Sequence, residues 1–319
     1  VKTSSEAAAS GSLQRYSLNG ATMGTRYTAL YYGAPGIDVA ALGASLFRAV
    51  DEVDRQMSIW NPASDLCRLN AAPANTWVAI PGELAEVLEA GLLVGRQSSG
   101  AFDIGMGELV RAWGFGPPLP APTVLPAALP AGHLLEVDCG RRRARKRGPI
   151  AIDLSGIAKG YGVDRLARCL DTHGIDNYLV GIDGEMRARG SKPGGQPWSV
   201  ALEKPVYGLR KVAGVMELED MSIATSGDYR HYVDVDGKRY AHTMHPARQL
   251  PVSNRLAAVT VLAATCMLAD AWATALLVLG EQDGPALAIE RGMNALFVLR
   301  DGERLQEVLI LDGRLCAPS

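Results

Sequence analysis

An α+β (α/β) fold with largely antiparallel sheets is predicted by three features of the sequence. Strand-like runs are joined by short turns at Met23-Gly24, Asp236-Gly237 and Asp301-Gly302, and such turns join antiparallel neighbours. Two long runs have helical spacing, from Val39 to Met57 and from Ala264 to Leu279. Between them a buried strand-like run, Ile150-Ala151-Ile152, passes through a glycine-rich junction into an amphipathic run from Val163 to Leu170.

The elements follow in order. Tyr16–Leu18 and Thr25–Tyr32 are rich in aromatic and β-branched residues and read as strands. Asp38 is placed to cap a helix whose apolar positions, Val39, Leu42, Leu46, Val50, Val53 and Met57, recur at three and four. Ser64 caps a short helix after the turn Asn61-Pro62. Pro81-Gly82 opens another helix, and Glu108–Trp113 gives one or two turns. Pro117–Gly132 is Pro/Ala-rich and reads as a surface loop with a short helical turn. Arg141–Arg147 is almost wholly basic and reads as a solvated hairpin tip. Strands follow at Tyr178–Met186, Trp198–Leu202, Val212–Leu218, Ser222–Thr225, Tyr229–Val235 and Val259–Leu262. A helix near Pro285–Arg291 and a hairpin around Asp301-Gly302 complete the chain.

Composition excludes several classes. The 319 residues and 48% hydrophobic content suffice for a sizeable core, and a net charge of −2 gives no overall attraction for nucleic acid or anionic membrane. The basic run lacks the interleaved aromatics of a single-strand binder. The five cysteines form no C-x-x-C pair, so neither a disulfide framework nor a zinc site is indicated. The Ala/Ser/Gly-rich start reads as a flexible leader without a signal-peptide apolar region. Leu256–Leu279 is long enough to span a membrane, but a mid-span Asp270 is costly in lipid. A buried strand followed by a buried helix explains the stretch instead.

Four stretches carry chemistry. The junction Asp153–Asp164 places glycines and Lys159 where a helix start presents free N–H groups, a setting for an anion. It matches neither the Walker loop nor the Rossmann fingerprint. Ala224–Tyr229 is a hydroxyl-rich turn. His242 and His245 lie three apart just before Pro246, and one could act as a base near neutrality. Asp270 and Thr274 are four apart, so they share one helix face. A buried Asp needs a partner; a hard cation, an arginine or a helix end would each serve.

Taken in order, these stretches resemble the ApbE family of flavin transferases. The matching pieces are Met23-Gly24-Thr25; Ser58-Ile59-Trp60 with Ser64 and Leu69-Asn70; Phe102-Asp103-Ile104 with Trp113-Gly114-Phe115-Gly116; Asp153–Asp164; Ser226-Gly227-Asp228-Tyr229; His242, Pro246 and Pro251-Val252; and Asp270-Ala271-Trp272-Ala273-Thr274. The resemblance implies a two-part fold with FAD held between the parts. It implies Mg²⁺-dependent cleavage of FAD, with FMN passed to a Ser or Thr hydroxyl of a target protein and AMP released. Some members hydrolyse FAD instead. The targets are typically exported or membrane respiratory proteins, which implies a periplasmic enzyme that is not itself transmembrane. A leader over residues 1–15 would precede one domain, 16–319, of two intimately packed subdomains.

Residue by residue, the resemblance implies that Asp270 and Thr274 hold the metal with the backbone oxygens of Ala158 and Ala273. Lys159, Ser226 and Gly227 fall at phosphate contacts. Met23, Trp60, Trp113, Gly114, Phe115 and Asp164 fall around the flavin and adenine, as do Asp183, Gly184 and Glu185. His242 matches the proposed base, so the catalytic set is His242, Lys159 and Asp270. Three positions depart from the family pattern. Trp60 stands where Tyr is common. Asp183-Gly184 replaces a glycine pair. His245 and Ala247-Arg248-Gln249 replace the Asp and the Arg-Thr-Gly of the family's histidine motif.

Overall fold

The computed structural model describes residues 13–118, 129–208, 211–230, 232–235, 237–302 and 304–316. The chain opens with a hairpin, β1 (Gln14–Thr22) and β2 (Thr25–Gly33), whose turn residues Met23 and Gly24 both have positive φ, 45° and 70°. α1 (Val39–Met57), α2 (Asp65–Ala71), β3 (Val78–Ala79) and α3 (Gly82–Gln97) follow. Next come α4 (Gly107–Ala112), the single turn α5 (Ala131–Leu134), β4 (Leu135–Asp138) and β5 (Arg143–Lys146). α6 (Ala158–Thr172) leads to β6 (Asn177–Ile182), β7 (Glu185–Arg189), β8 (Trp198–Glu203), β9 (Val212–Leu218) and β10 (Ser222–Gly227). Two small hairpins, β11 (Tyr232–Val235) with β12 (Lys238–Ala241) and β13 (Met244–His245) with β14 (Leu250–Pro251), precede β15 (Leu256–Ala263). α7 (Cys266–Glu290), β16 (Asn294–Asp301), β17 (Arg304–Leu311) and β18 (Arg314–Leu315) end the described chain.

Nine strands form the main sheet in the order β1-β2-β6-β7-β10-β15-β16-β17-β18. Every neighbouring pair is antiparallel. α1 and α6 pack their apolar faces on β2 and β6 around Leu46, Val50, Tyr178 and Val180. α7 lies against β10 and β15, and its Ala271, Ala275 and Leu276 join Phe297, Ile157 and Leu88 in the largest core. The β8–β9 hairpin covers part of the sheet through Trp198, Leu218 and Ile223. A smaller sheet, β3-β5-β4, sits beside α3.

Caps follow the sequence. Asp38 accepts from the Ala41 N–H at 2.9 Å and Ser64 from the Cys67 N–H at 3.0 Å, satisfying donors at the starts of α1 and α2. α7 runs unbroken over Cys266–Glu290 but is kinked at Gly280, where φ is 84° and ψ −171°, so the two helices expected there are joined across a kink. No described helix is long and apolar enough to cross a membrane.

α6 and α7 cap each other. Asp164, in α6, accepts from the first two N–H groups of α7, at Cys266 (3.0 Å) and Met267 (2.9 Å). Asp270, in α7, accepts from Gly160 N–H in the first turn of α6 at 3.0 Å. A Cβ at Gly160 would collide with the Cys266 carbonyl, so only glycine allows the helices this close. Each carboxylate also faces the positive end of the other helix's dipole.

Several expectations are corrected. Ile150–Ile152 makes only an isolated bridge, Met106 to Ala151, rather than a sheet strand. Its backbone is instead tied by the Asn70 side chain, which both donates to and accepts from Ile152 at 2.8 Å. α6 begins at Ala158, five residues before the apolar periodicity starts. Gln14 and Arg15, assigned to the leader, begin β1; the leader residues 1–12 lie outside the described residues, as do 119–128 of the Pro/Ala-rich segment and Asp236 of its turn. Arg141 and Arg142 are the exposed tip of the β4–β5 hairpin, as expected, but the rest of the basic run continues into β5 and is not free in solvent. Arg143 and Arg145 sandwich Trp77 at 4.2 and 4.5 Å and pair with Asp138 and Glu136, while Lys146 is buried and donates to the Asn70 carbonyl.

Asp164 is 2% exposed and also pairs with Arg187 at 2.6 Å. Removing one partner of a buried ion pair costs about 3 kcal/mol or more. Asp164→Ala is expected to lose at least that in urea unfolding. A loss under about 1 kcal/mol, the worth of a lone cap, would contradict the mutual-capping account.

Candidate active site

Two cavities meet beside the start of α6. One is lined by Phe102, Asp103, Met106, Asp153, Glu185, Ser226, Gly227, Asp270 and Thr274. The other is lined by Met23, Thr25, Met57, Ile59, Trp60, Leu154 and Ala158. Ser155, Lys159, Asp183 and His242 line both. The result is one elongated cleft with a charged waist. Trp60 is 64% exposed at one end, an indole face open to a planar ligand.

The waist is built by four elements. The start of α6 supplies Lys159, and the β6–β7 turn supplies Asp183 and Glu185. Lys159 Nζ stands 2.7 Å from Glu185 Oε1 and 3.5 Å from Asp183 Oδ2. α7 supplies Asp270 and, one turn on, Thr274. β10 supplies Ser226, whose hydroxyl lies 2.9 Å from that of Thr274.

Charge in this waist is unbalanced. Burial alone would lower the Lys159 pKa, but Glu185, Asp270 and Asp183 outweigh it and hold the ammonium above its usual value. Burial raises the Glu185 and Asp270 carboxyls against the pull of Lys159. Three carboxylates thus share one nearby ammonium. Asp153, also on the cleft wall, is raised by burial too. One oxygen of Glu185 and one of Asp153 are buried without a hydrogen-bond partner among the described residues. Surplus negative charge lined with hydroxyl and carboxylate oxygens is the chemistry of a hard-cation site. No group of three His, Cys, Asp or Glu suited to a metal occurs among the described residues, so water or ligand oxygens would complete such a shell.

The sequence and the fold both have counterparts among known proteins. The sequence matches the ApbE family over residues 23–297. The chain belongs to the ApbE family. Among curated relatives, the FAD:protein FMN transferase of Vibrio cholerae is 38% identical over 299 residues, covering 91% of this chain and 89% of that protein. The FAD:protein FMN transferase of Salmonella typhimurium is 34% identical, covering 90% and 85%. Among solved structures, the flavin transferase ApbE of Vibrio cholerae superposes with a TM-score of 0.83 at 36% identity, covering 93% of this chain and 97% of that one. The apo flavinyl transferase ApbE of Pseudomonas stutzeri gives 0.84 at 36% identity, covering 95% and 96%.

Against the ApbE pattern, the structure gathers Met23, Trp60, Ala158, Lys159, Asp183, Glu185, Ser226, Gly227, His242, Asp270 and Thr274 around the cleft. Ala273 is fully buried in α7 behind Thr274. Trp113 and Phe115 stand behind the wall: Trp113 packs on Tyr240 at 5.1 Å and Phe115 meets the edge of His242 at 6.2 Å. They flank Gly114 and brace the histidine loop. Gly184 borders a neighbouring cavity under the β8–β9 hairpin. Asp164 is the correction: its carboxylate is taken up by α7 and Arg187, so it is a structural cap rather than a flavin contact. At the start of α6, where an anion is expected, the Gly160 N–H is taken by Asp270, while Lys159 faces the cleft.

The departures from the ApbE pattern have a local setting. Gln249 takes φ of 53°, the left-handed backbone that glycine occupies most cheaply, and its N–H closes the β13–β14 turn on the His245 carbonyl at 2.9 Å. Burial lowers the His245 pKa, and its Nδ1 is buried without a hydrogen-bond partner among the described residues. Arg230 on the cleft rim was missed by sequence reasoning; its only signal was its place directly after Ser226-Gly227-Asp228-Tyr229.

A carboxyl whose pKa is raised on folding from its ordinary 3.8 binds its proton more tightly in the native state. Its contribution to stability is therefore lost as pH rises above that value. Asp270→Asn keeps an acceptor for Gly160 N–H without the charge. In metal-free buffer at pH 7 its thermal midpoint is expected to equal or exceed the wild type's, with the gap closing towards pH 4. A midpoint several degrees lower at pH 7 would show that the charge itself holds the helices together.

Proposed function

We propose that this chain is an FAD:protein FMN transferase: it splits the pyrophosphate of FAD and passes FMN to a Ser or Thr hydroxyl of a target protein, releasing AMP. The observation that carries this reading is the cleft's shape. An exposed indole stands at one end, a second lobe lies at the other, and Lys159, Asp183 and His242 line the waist common to both. A dinucleotide laid along the cleft puts its flavin on Trp60 and its pyrophosphate at the waist. The names of the relatives at 32–38% identity support the same activity.

Mg²⁺ fits the surplus carboxylates, and Asp270 and Thr274, with backbone oxygens of Ala158 and Ala273, would hold it. It would supply charge neutralisation on the pyrophosphate oxygens. The chain's own residues do the rest. Lys159 offers an ammonium to the pyrophosphate, and Ser226 and Thr274 offer hydroxyls. His242 takes the proton from the acceptor hydroxyl as its oxygen bonds to the FMN phosphorus and the bond to AMP breaks. Trp60 fixes the ring system by stacking. The acceptor is read as a respiratory or membrane protein and the working place as the periplasm, on the strength of the family's usual targets.

With FAD, Mg²⁺ and an acceptor domain bearing a Ser or Thr site, the wild type is expected to leave covalent flavin, seen as in-gel fluorescence, and one AMP per flavin attached. Asp270→Ala should lose about 10²-fold or more in rate. Trp60→Ala should raise KM for FAD by about tenfold, the worth of one aromatic stack. Free FMN without labelled acceptor would replace the reading with that of a pyrophosphatase. FAD bound with no AMP released would leave only a flavin carrier.

A further inference from the structure

The β6–β7 hairpin delivers two of the three waist carboxylates, and its turn is tied to a side chain from outside. Asp183 is a non-glycine residue with φ of 51°, and Gly184 has φ of 111°. Asp183 and Gly184 are the two central residues of a hairpin whose flanking residues Ile182 and Glu185 pair, and left-handed backbone at both is the ordinary geometry of such a turn, which Asp-Gly adopts most readily. The side chain that holds this turn from outside is Arg230. Its Nη1 donates to the Asp183 carbonyl at 2.7 Å. Its Nε and Nη2 converge on one oxygen of Glu203, at 3.0 and 2.6 Å. A Cβ at Gly184 would lie 3.0 Å from Arg230 Nη1, so the glycine is what lets the guanidinium reach the carbonyl.

Glu203 ends β8 and lies outside the FAD cleft, lining the neighbouring cavity beneath the β8–β9 hairpin. Arg230 lines both cavities. Its charge is engaged by Glu203, and its reach towards the cleft ends on a backbone carbonyl. We propose that Glu203 and Arg230 form a positioning clasp: Glu203 orients Arg230, Arg230 fixes the Asp183-Gly184 turn, and the turn aims Asp183 and Glu185 at Lys159. The clasp rests on the transferase reading for its kinetic consequence, and on geometry alone for its effect on the turn. Arg230 is thereby a positioning residue, and its natural rival is a direct contact to the FAD phosphates.

The two roles separate experimentally. A positioning residue acts on the alignment of Lys159 in the transition state, so its loss lowers kcat with KM for FAD little changed. Arg230→Ala is expected to lose at least tenfold in kcat with KM for FAD within twofold. Arg230→Lys should recover part of the loss, because an ammonium can still donate to the Asp183 carbonyl. Glu203→Gln, remote from FAD, should lose about threefold or more in kcat. In the Arg230→Ala background it should add nothing, since both act through one chain of contacts. Hydrogen exchange of the turn amides in the unliganded protein should quicken in Arg230→Ala at unchanged global stability, a readout independent of any reaction.

A rise of KM without a fall in kcat would make Arg230 a phosphate contact and overturn the clasp. So would additive losses in the double variant, or turn exchange that matches the wild type. A wild type that leaves FAD intact would fail the transferase reading alone, and the exchange measurement would still decide the clasp.

Discussion

Two helix starts that cap each other set the geometry of this protein. Asp164 reaches from α6 to the first N–H groups of α7, and Asp270 reaches back to Gly160 in the first turn of α6. Neither helix has another side-chain cap of comparable burial: α6 has no side-chain bond at its N-cap, and Thr265 caps α7 at 3.4 Å. The crossing is close because Gly160 has no side chain. Once it is made, Lys159 is delivered on one side of the contact and Thr274, one turn beyond Asp270, on the other. The site is a by-product of how two helix ends satisfy their own backbones.

The same contact explains the electrostatics. A carboxylate placed for capping is buried, and burial is costly without compensation. Lys159 supplies part of it, but Glu185 and Asp183 compete for the same ammonium. The waist is left with more negative than positive charge, and one oxygen of Glu185, like one of Asp153 on the wall, has no partner among the described residues. Such a site is under-satisfied when empty and suited to a cation with an anionic substrate. Stability given up at a site of this kind is the usual companion of activity.

Much of this was legible in the sequence where the signal is local. The spacing of Val39–Met57, the caps Asp38 and Ser64, and the shared face of Asp270 and Thr274 all follow from neighbours within a few residues. Two C-terminal helices were legible, one ending at Leu279 and one starting near Pro285, and the structure joins them across a kink at Gly280. Contacts across long separations were not legible. Asp164 meets Cys266 from 102 residues away, and no pattern within α6 distinguishes that cap from a ligand contact. Resemblance placed it at the flavin for the same reason: motif position carries no information on which way a side chain turns. Ile150–Ile152 has strand composition, but its partner is the Asn70 amide 82 residues earlier, not a strand. Glu203 ends β8 and Arg230 lies in the bend after β10, and only the fold brings them to one turn.

The central claim is that the waist becomes a pyrophosphate site when a divalent cation settles among its surplus carboxylates. Titration of FAD into the wild type and into Asp270→Asn, with and without Mg²⁺ and followed by flavin fluorescence, tests it directly. The account predicts that Mg²⁺ tightens FAD binding at least tenfold in the wild type and leaves the affinity of Asp270→Asn unchanged. Equal FAD affinity in the wild type with and without Mg²⁺, or an equal Mg²⁺ effect in both proteins, would contradict it.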